Sequence, residues 1–318
     1  MKQYQDPELQ ELAERLASDD AGLRRVAVLD LVDCPEPEAV ELLIQALNDA
    51  DPLVRQEAAK VVDEFESAQM ADALIAALND SDEVVRNAAA HALSDLKDPA
   101  AAAPLLAALQ ESRDPFVVAG ILRALKPLRD ADAREPARAR LDHPDPRVRR
   151  EAVAVLGWLK EDANLPMLIE RARDDVDPEV RRAAVGALVY ADAAAVAEAL
   201  NGIVTDEHWQ VRAEAINSIG KLDHQQGLDL LITASRDTTW QVREKAADAI
   251  GKLRRVEGVP ALGECCRDPM SNVRKATIGA LGAIADEQCR PYIETALDDP
   301  DPDVRKLARW AQSRLSAA

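Results

Sequence analysis

Residues 145–159 read DPRVRREAVAVLGWL, residues 177–191 read DPEVRRAAVGALVYA, and residues 240–253 read WQVREKAADAIGKL. All three carry an anchor valine followed by arginine, then apolar or small side chains four and eight positions on. In the third segment the series is Val242, Ala246, Ile250 and, at position eleven, Leu253. Such spacing lays one apolar stripe along an α-helix. The anchor arginine recurs at 24, 55, 86, 149, 181, 212, 243, 274 and 305. Val117-Val118 fills the single gap, so every interval is 31 or 32 residues.

Each copy contains two helices. An aspartate stands three residues before the anchor in seven copies (Asp20, Asp51, Asp82, Asp114, Asp145, Asp177 and Asp301), and proline follows five of them. Aspartate accepts from unpaired amides at a helix start, and proline suits the first helical position. The second helix of each copy therefore begins there. A separate amphipathic stretch, such as AVELLIQALND or AAAAPLLAALQ, supplies the first helix. The position four after the anchor is alanine in eight of ten copies, which lets neighbouring helices approach closely. Late glycines (Gly157, Gly220, Gly251, Gly282) point to tight packing or helix termination. A two-helix copy of this size cannot bury its own apolar faces, so copies must stack. The expectation is one solenoid over residues 1–318. Caps are expected at about 6–34 and 287–316, the latter turning Arg309, Gln312 and Arg314 outward.

The pattern D-P-x-V-R-x-x-A, followed by A-L-G and an apolar residue, resembles the HEAT repeat. More closely, it is similar to the short variety named after phycobilisome lyase subunits. The resemblance covers nearly the whole chain and implies an all-α fold, a right-handed α-α superhelix of about ten two-helix repeats. It says little about function, because such solenoids serve many roles. Some relatives resemble iron-dependent hydroxylases with paired His-Glu motifs. This chain has only the reverse order, Glu207-His208, so that role is not carried over.

Composition agrees. Apolar residues make up 47% but aromatics only 3%, so alanine, leucine and valine must build the interior. The net charge of −19 repels phosphate backbones and argues against nucleic-acid binding. Charge is uneven: residues 1–65 carry a net of −10 and residues 123–150 a net of +4. No stretch is long and apolar enough to span a bilayer, and MKQYQDPELQ lacks a signal-peptide core. Four cysteines in 318 residues do not make a disulfide framework, which suggests a reducing cytoplasm, and repulsion between the excess acids favours a monomer.

No catalytic constellation emerges. His91, His143, His208 and His224 lie far apart in sequence, without HExxH. Cys265, Cys266 and Cys289 lack Cys-x-x-Cys spacing, and Cys265 falls on an apolar stripe. The DDPDPD run at 298–303 lacks the glycine and closing glutamate of a calcium loop. No metal or other cofactor is expected. The anchor arginines read as a structural ladder tying each second helix to its neighbour's turn.

Function must then lie where the copies differ. Trp158 and Tyr190 sit ten residues after their anchors in copies five and six. Trp209 and Trp240 sit two residues before theirs in copies seven and eight, where packing and binding explain them equally. Phe116 precedes its anchor in copy four, close to Arg123, Lys126, Arg147 and Arg150. Exposed aromatics make good binding anchors. These nine residues are the expected docking surface, on a concave face, of a non-catalytic protein-interaction scaffold. The alternative is an accessory factor resembling phycobilin lyase subunits, active in tetrapyrrole or cofactor attachment.

Overall fold

The computed structural model describes residues 4–34, 38–62, 65 and 69–315. These form twenty α-helices and no strand, as an all-helical solenoid requires. The chain divides into two compact units, Met1–Leu159 and Lys160–Ala318. In the first, the first helices are α1 (Pro7–Leu16), α3 (Glu38–Leu47), α5 (Met70–Ala77), α7 (Ala102–Glu111) and α9 (Arg134–Arg138). Its second helices are α2 (Ala21–Asp30), α4 (Pro52–Val61), α6 (Glu83–Asp95), α8 (Pro115–Leu128) and α10 (Pro146–Leu159). In the second unit, the first helices are α11 (Leu165–Asp174), α13 (Ala193–Ile203), α15 (Leu228–Ala234), α17 (Val259–Cys265) and α19 (Arg290–Ala296). Its second helices are α12 (Pro178–Ala187), α14 (Trp209–Lys221), α16 (Trp240–Leu253), α18 (Ser271–Ile284) and α20 (Pro302–Leu315).

Within each unit a second helix packs on its own first helix and on the second helix of the next copy. The stripe read from the sequence is what they bury. Val211, Ala215 and Ile219 are fully enclosed on α14, as are Val242, Ala246 and Ile250 on α16. Alanine four after the anchor is fully buried in all eight copies that have it. The two exceptions, Ile121 and Thr277, are also enclosed, and the Thr277 hydroxyl donates to the Val273 carbonyl.

Capping follows the aspartates. Asp20, Asp51, Asp82, Asp114 and Asp177 each accept an amide of the first turn of the helix they precede. The helices α14, α16 and α18 start at His208, Thr239 and Met270 without a side-chain cap. There the turn is held one step earlier, by Asp206, Asp237 and Asp268. Each accepts the amide two residues on, at 2.7–2.9 Å.

Those same aspartates take the anchor arginines. Nε and Nη2 of Arg24, Arg55, Arg181, Arg212, Arg243 and Arg274 donate to Asp49, Asp80, Asp206, Asp237, Asp268 and Asp299, at 2.6–3.0 Å. Nη1 of each donates at 2.7–2.9 Å to the carbonyl six residues before it, in its own copy's turn. One guanidinium thus joins two consecutive turns through a planar, bidentate fork. The ladder expected from the sequence is present. Its acid, however, is the aspartate two residues before the cap, not the capping aspartate itself.

This ladder sets the pH dependence of stability. Burial alone would raise the Asp49, Asp237 and Asp268 carboxyls, but the arginine fork and a backbone amide outweigh it and hold them low. At Asp80 and Asp299 the arginine hydrogen bond is the leading effect and again lowers the pKa. A carboxyl depressed in the folded state stabilises above its unfolded pKa of about 3.9, and that contribution is lost as pH falls through the folded value. The urea midpoint should therefore be flat from neutral pH to about 5 and fall below about 4. A midpoint that rises between pH 5 and 3 would contradict the ladder's role.

Glycine serves approach rather than termination. No glycine has a positive φ. The left-handed residues are Arg129, Lys160, Asp223, Arg254 and Ala285. A Cβ on Gly251 would lie 2.6 Å from the Ala280 Cα, and one on Gly282 would lie 2.5 Å from the Trp310 ring. In the first copy Leu23, Val26 and Leu29 of α2 are about half exposed. At the other end, the closing helix exposes Arg309 and Arg314 together with Trp310.

Candidate functional site

The rungs that would start from copies three and four are missing. Arg86 makes the usual Nη1 bonds, 2.8 Å to the Asp80 carbonyl and 3.1 Å to that of Ser81. The residue two before the next cap is Ser112, where an aspartate would complete the rung. Ser112 keeps the backbone of its counterpart Asp175, with φ/ψ of −69/138 against −64/135. Only the carboxylate is missing. Among the described residues no carboxylate lies within ion-pair distance of Arg86, whose side chain is half-buried. The next arginine is replaced by Val118, and the acid that it would have met is replaced by His143. The His143 Nδ1 takes over the local task by accepting the Asp145 amide at 3.1 Å.

A cleft of about 460 Å³ runs along the starts of α6, α8 and α10, lined by Arg86, Asn87, Phe116 and Arg147 among others. Two of the expected site residues, Phe116 and Arg147, thus face the same space. Arg147 is exposed and forks onto Asp145, with Nη2 2.6 Å from its Oδ2. Arg123 and Arg150 lie elsewhere and converge on Glu151, each 3.0 Å from its Oε1. Their charge is partly spent on a buried acid. Lys126 is half-buried on α8.

The aromatic candidates carry cations. The Arg129 guanidinium stands 4.8 Å from the Trp158 ring centroid, and the Lys160 ammonium 4.2 Å from that of Tyr190. The two pairs are alike in construction. Each cation is the left-handed residue just after a second helix, and each ring lies ten after the next anchor. Trp158 is half-buried and Tyr190 is 50% exposed. An exposed cation–π pair stabilises by about 0.5–1 kcal/mol and presents a rigid amphipathic surface. Trp209 and Trp240 each open their helix and are half-buried. Sequence reading missed Arg86, Arg129 and Lys160. The signals were present: serine at a ladder position, and a cation 29 or 30 residues before each aromatic.

Elsewhere the chemistry is quiet. Cys34, Cys265 and Cys289 are buried free thiols, and burial pushes the Cys266 thiol up to about 12. Among the described residues no group of three or more His, Cys, Asp or Glu is placed to hold a metal ion. The DDPDPD run is divided between the ladder, at Asp299, and the cap of α20, at Asp301. A second hollow between α16 and α18 is lined by Asp248, Lys252, Arg254 and Gly279, and burial pushes the Asp248 carboxyl up. No described helix is long and apolar enough to cross a membrane.

The family model for HEAT repeats matches residues 9–94, 42–126, 104–189, 196–271 and 259–316, which together span nearly the whole chain. The chain belongs to the HEAT-repeat family. The match is to HEAT repeats in general; the phycobilisome-lyase variety is not singled out by it. Solved structures share the HEAT fold at low identity. A chain of the Kap95p–RanGDP structure is 15% identical with a TM-score of 0.60, over 97% of this chain and 53% of that one. The Kap121p mutant D353K/E396K/D438K is 15% identical with a TM-score of 0.53, over 99% of this chain and 42% of that one. YibA of E. coli is 17% identical with a TM-score of 0.52, over 95% and 98% of the two chains. This HEAT-repeat chain thus spans about half the length of the Kap structures that it matches. The sequence matches none of the curated proteins with which it was compared.

Proposed function

We propose that this HEAT-repeat protein is a non-catalytic scaffold that binds a protein partner along its second helices, the concave side of such solenoids. One observation carries the reading. The repeated residues are committed to stacking, whereas copies four to six display ring–cation pairs that serve no ladder. Trp158 with Arg129 and Tyr190 with Lys160 offer large, stiffened contact area at low entropic cost. Phe116, Arg123, Lys126, Arg147 and Arg150 belong with Trp158 to the first unit; Trp209 and Trp240 belong with Tyr190 to the second. A chain of like fold occurs in a structure with RanGDP, which supports a protein as the kind of partner. A cytoplasmic, monomeric protein that binds neither nucleic acid nor a membrane fits the net charge of −19. An accessory role like that of phycobilin lyase subunits rests on the repeat's resemblance alone and adds no residue to the site.

The test is co-purification from the native host with a tagged chain. Alanine at both Trp158 and Tyr190 should remove the partner while leaving the melting temperature within a few degrees. Each aromatic anchor is expected to contribute about 2 kcal/mol, roughly thirtyfold in affinity. Full retention of the partner by the double variant would sink the assignment.

A further inference from the structure

The intact rungs show what an anchor guanidinium takes. Six times the Nε–Nη2 edge closes on both oxygens of an aspartate carried in a tight turn, at 2.6–3.0 Å. Arg86 is held in the same way at its other edge, through Nη1 and two carbonyls. Its fork is therefore pre-organised for a carboxylate that its own chain does not provide, because Ser112 stands in the acid's place. Arg86 lines a cleft of about 460 Å³, with Phe116 and Arg147 also on its wall.

The other acids of the cleft do not satisfy Arg86. Asp80 is held by Arg55, and the Asp114 carboxylate accepts the Phe116 and Val117 amides. Glu83 is exposed to water at the rim. Residues 123–150, which include Arg147 of the cleft wall, carry a net of +4 in an otherwise acidic chain. A planar guanidinium fork selects a planar carboxylate, with two parallel bonds.

We propose that the Arg86 cleft receives an aspartate or glutamate side chain from an acidic loop of the partner protein, supplying from outside the rung that copy four lacks. The inference deepens the scaffold reading and rests on it for the occupant being a protein. The fork provides bidentate recognition, the Arg147–Asp145 pair stands on the cleft wall, and Phe116 provides apolar area beside it.

The probe is an acetylated and amidated peptide, Asp-Asp-Pro-Asp-Pro-Asp, which copies the ladder turn at 298–303. It is titrated into the full-length protein while the arginine Nε–H and backbone amide resonances are followed, with the Arg86 signal assigned from R86Q. The expected result is a saturable shift of the Arg86 Nε–H and of the Asn87 and Phe116 amides. Apparent affinity should fall at least severalfold between 50 and 300 mM salt. Ser112→Asp keeps Arg86, completes the rung internally, and should raise the melting temperature while weakening the peptide at least tenfold. The all-asparagine peptide should give no shift. Four outcomes would overturn the proposal: no shift with the acidic peptide, equal shifts with the asparagine peptide, unaltered binding by S112D, or an equal response to inorganic phosphate, which would mark a general anion site. Loss of the peptide response with the partner still captured through Trp158 and Tyr190 would remove this inference and leave the scaffold reading standing.

Discussion

Replacing Arg243 by alanine should lower the unfolding free energy by about 3 kcal/mol, read as a drop in the urea midpoint. The substitution deletes two bonds to Asp268 and one each to the Asp237 and Thr238 carbonyls. It also strands a carboxylate that is only 7% exposed. Removing one partner of a largely buried pair costs more than the pair contributes, because the remaining charge stays out of water. The exposed pair between Arg236 and Glu264, with similar distances but 59% exposure on both sides, is the control. Screening by water leaves such pairs little net effect, so R236A should keep the wild-type midpoint. Equal losses from R243A and R236A would show that the ladder is decoration rather than structure.

Gly251→Ala should destabilise the protein by about 1–3 kcal/mol even though alanine is the better helix former. The added methyl would meet Ala280 at 2.6 Å from its Cα and 2.7 Å from its Cβ, and a backbone atom cannot swing aside. Either α16 and α18 separate along their length or the contact strains both. Gly279→Ala in α18 provides the opposite case, since a Cβ there meets nothing within 4 Å. That variant should gain up to about 1 kcal/mol from helix propensity alone. Thermal melts of the two variants therefore move in opposite directions. A gain for Gly251→Ala would mean that the helices are not in the close contact described.

Those contrasts also mark how far the sequence could be read. The period, the helix pairs and the capping aspartates were legible, because each depends on local spacing along one helix or one turn. The ladder's arginine was legible as well, but its acid was not. The acid that caps a helix and the one that meets the arginine lie two residues apart, and only the fold decides which guanidinium edge faces which turn. Gly251 could be read as a packing glycine or a helix stop. The stop turned out to be borne by Arg129, Lys160, Asp223, Arg254 and Ala285 in left-handed conformation, an arrangement that residue preferences argue against at all but Asp223.

The candidate site was legible as a set of deviations, not as a geometry. Trp158 and Tyr190 stood out by rarity, but the cations stacked on them come from the preceding copy and require the register between neighbouring helices. The basic residues looked like one patch. The structure instead turns Arg123 and Arg150 onto Glu151 and Arg147 onto Asp145. The informative vacancy was Ser112. A missing acid becomes visible only once the six intact rungs have shown where the acid belongs.

The central claim is that repeated residues hold the stack while the departures bind. Its most direct test is a calorimetric titration of the purified partner into two variants, each with its melting temperature recorded. Arg212→Ala should lower the melting temperature by several degrees and, well below it, leave partner affinity unchanged. The W158A/Y190A double variant should melt close to wild type and lose affinity by more than tenfold. The reverse pattern, with unchanged melting and lost affinity in Arg212→Ala, would contradict the account.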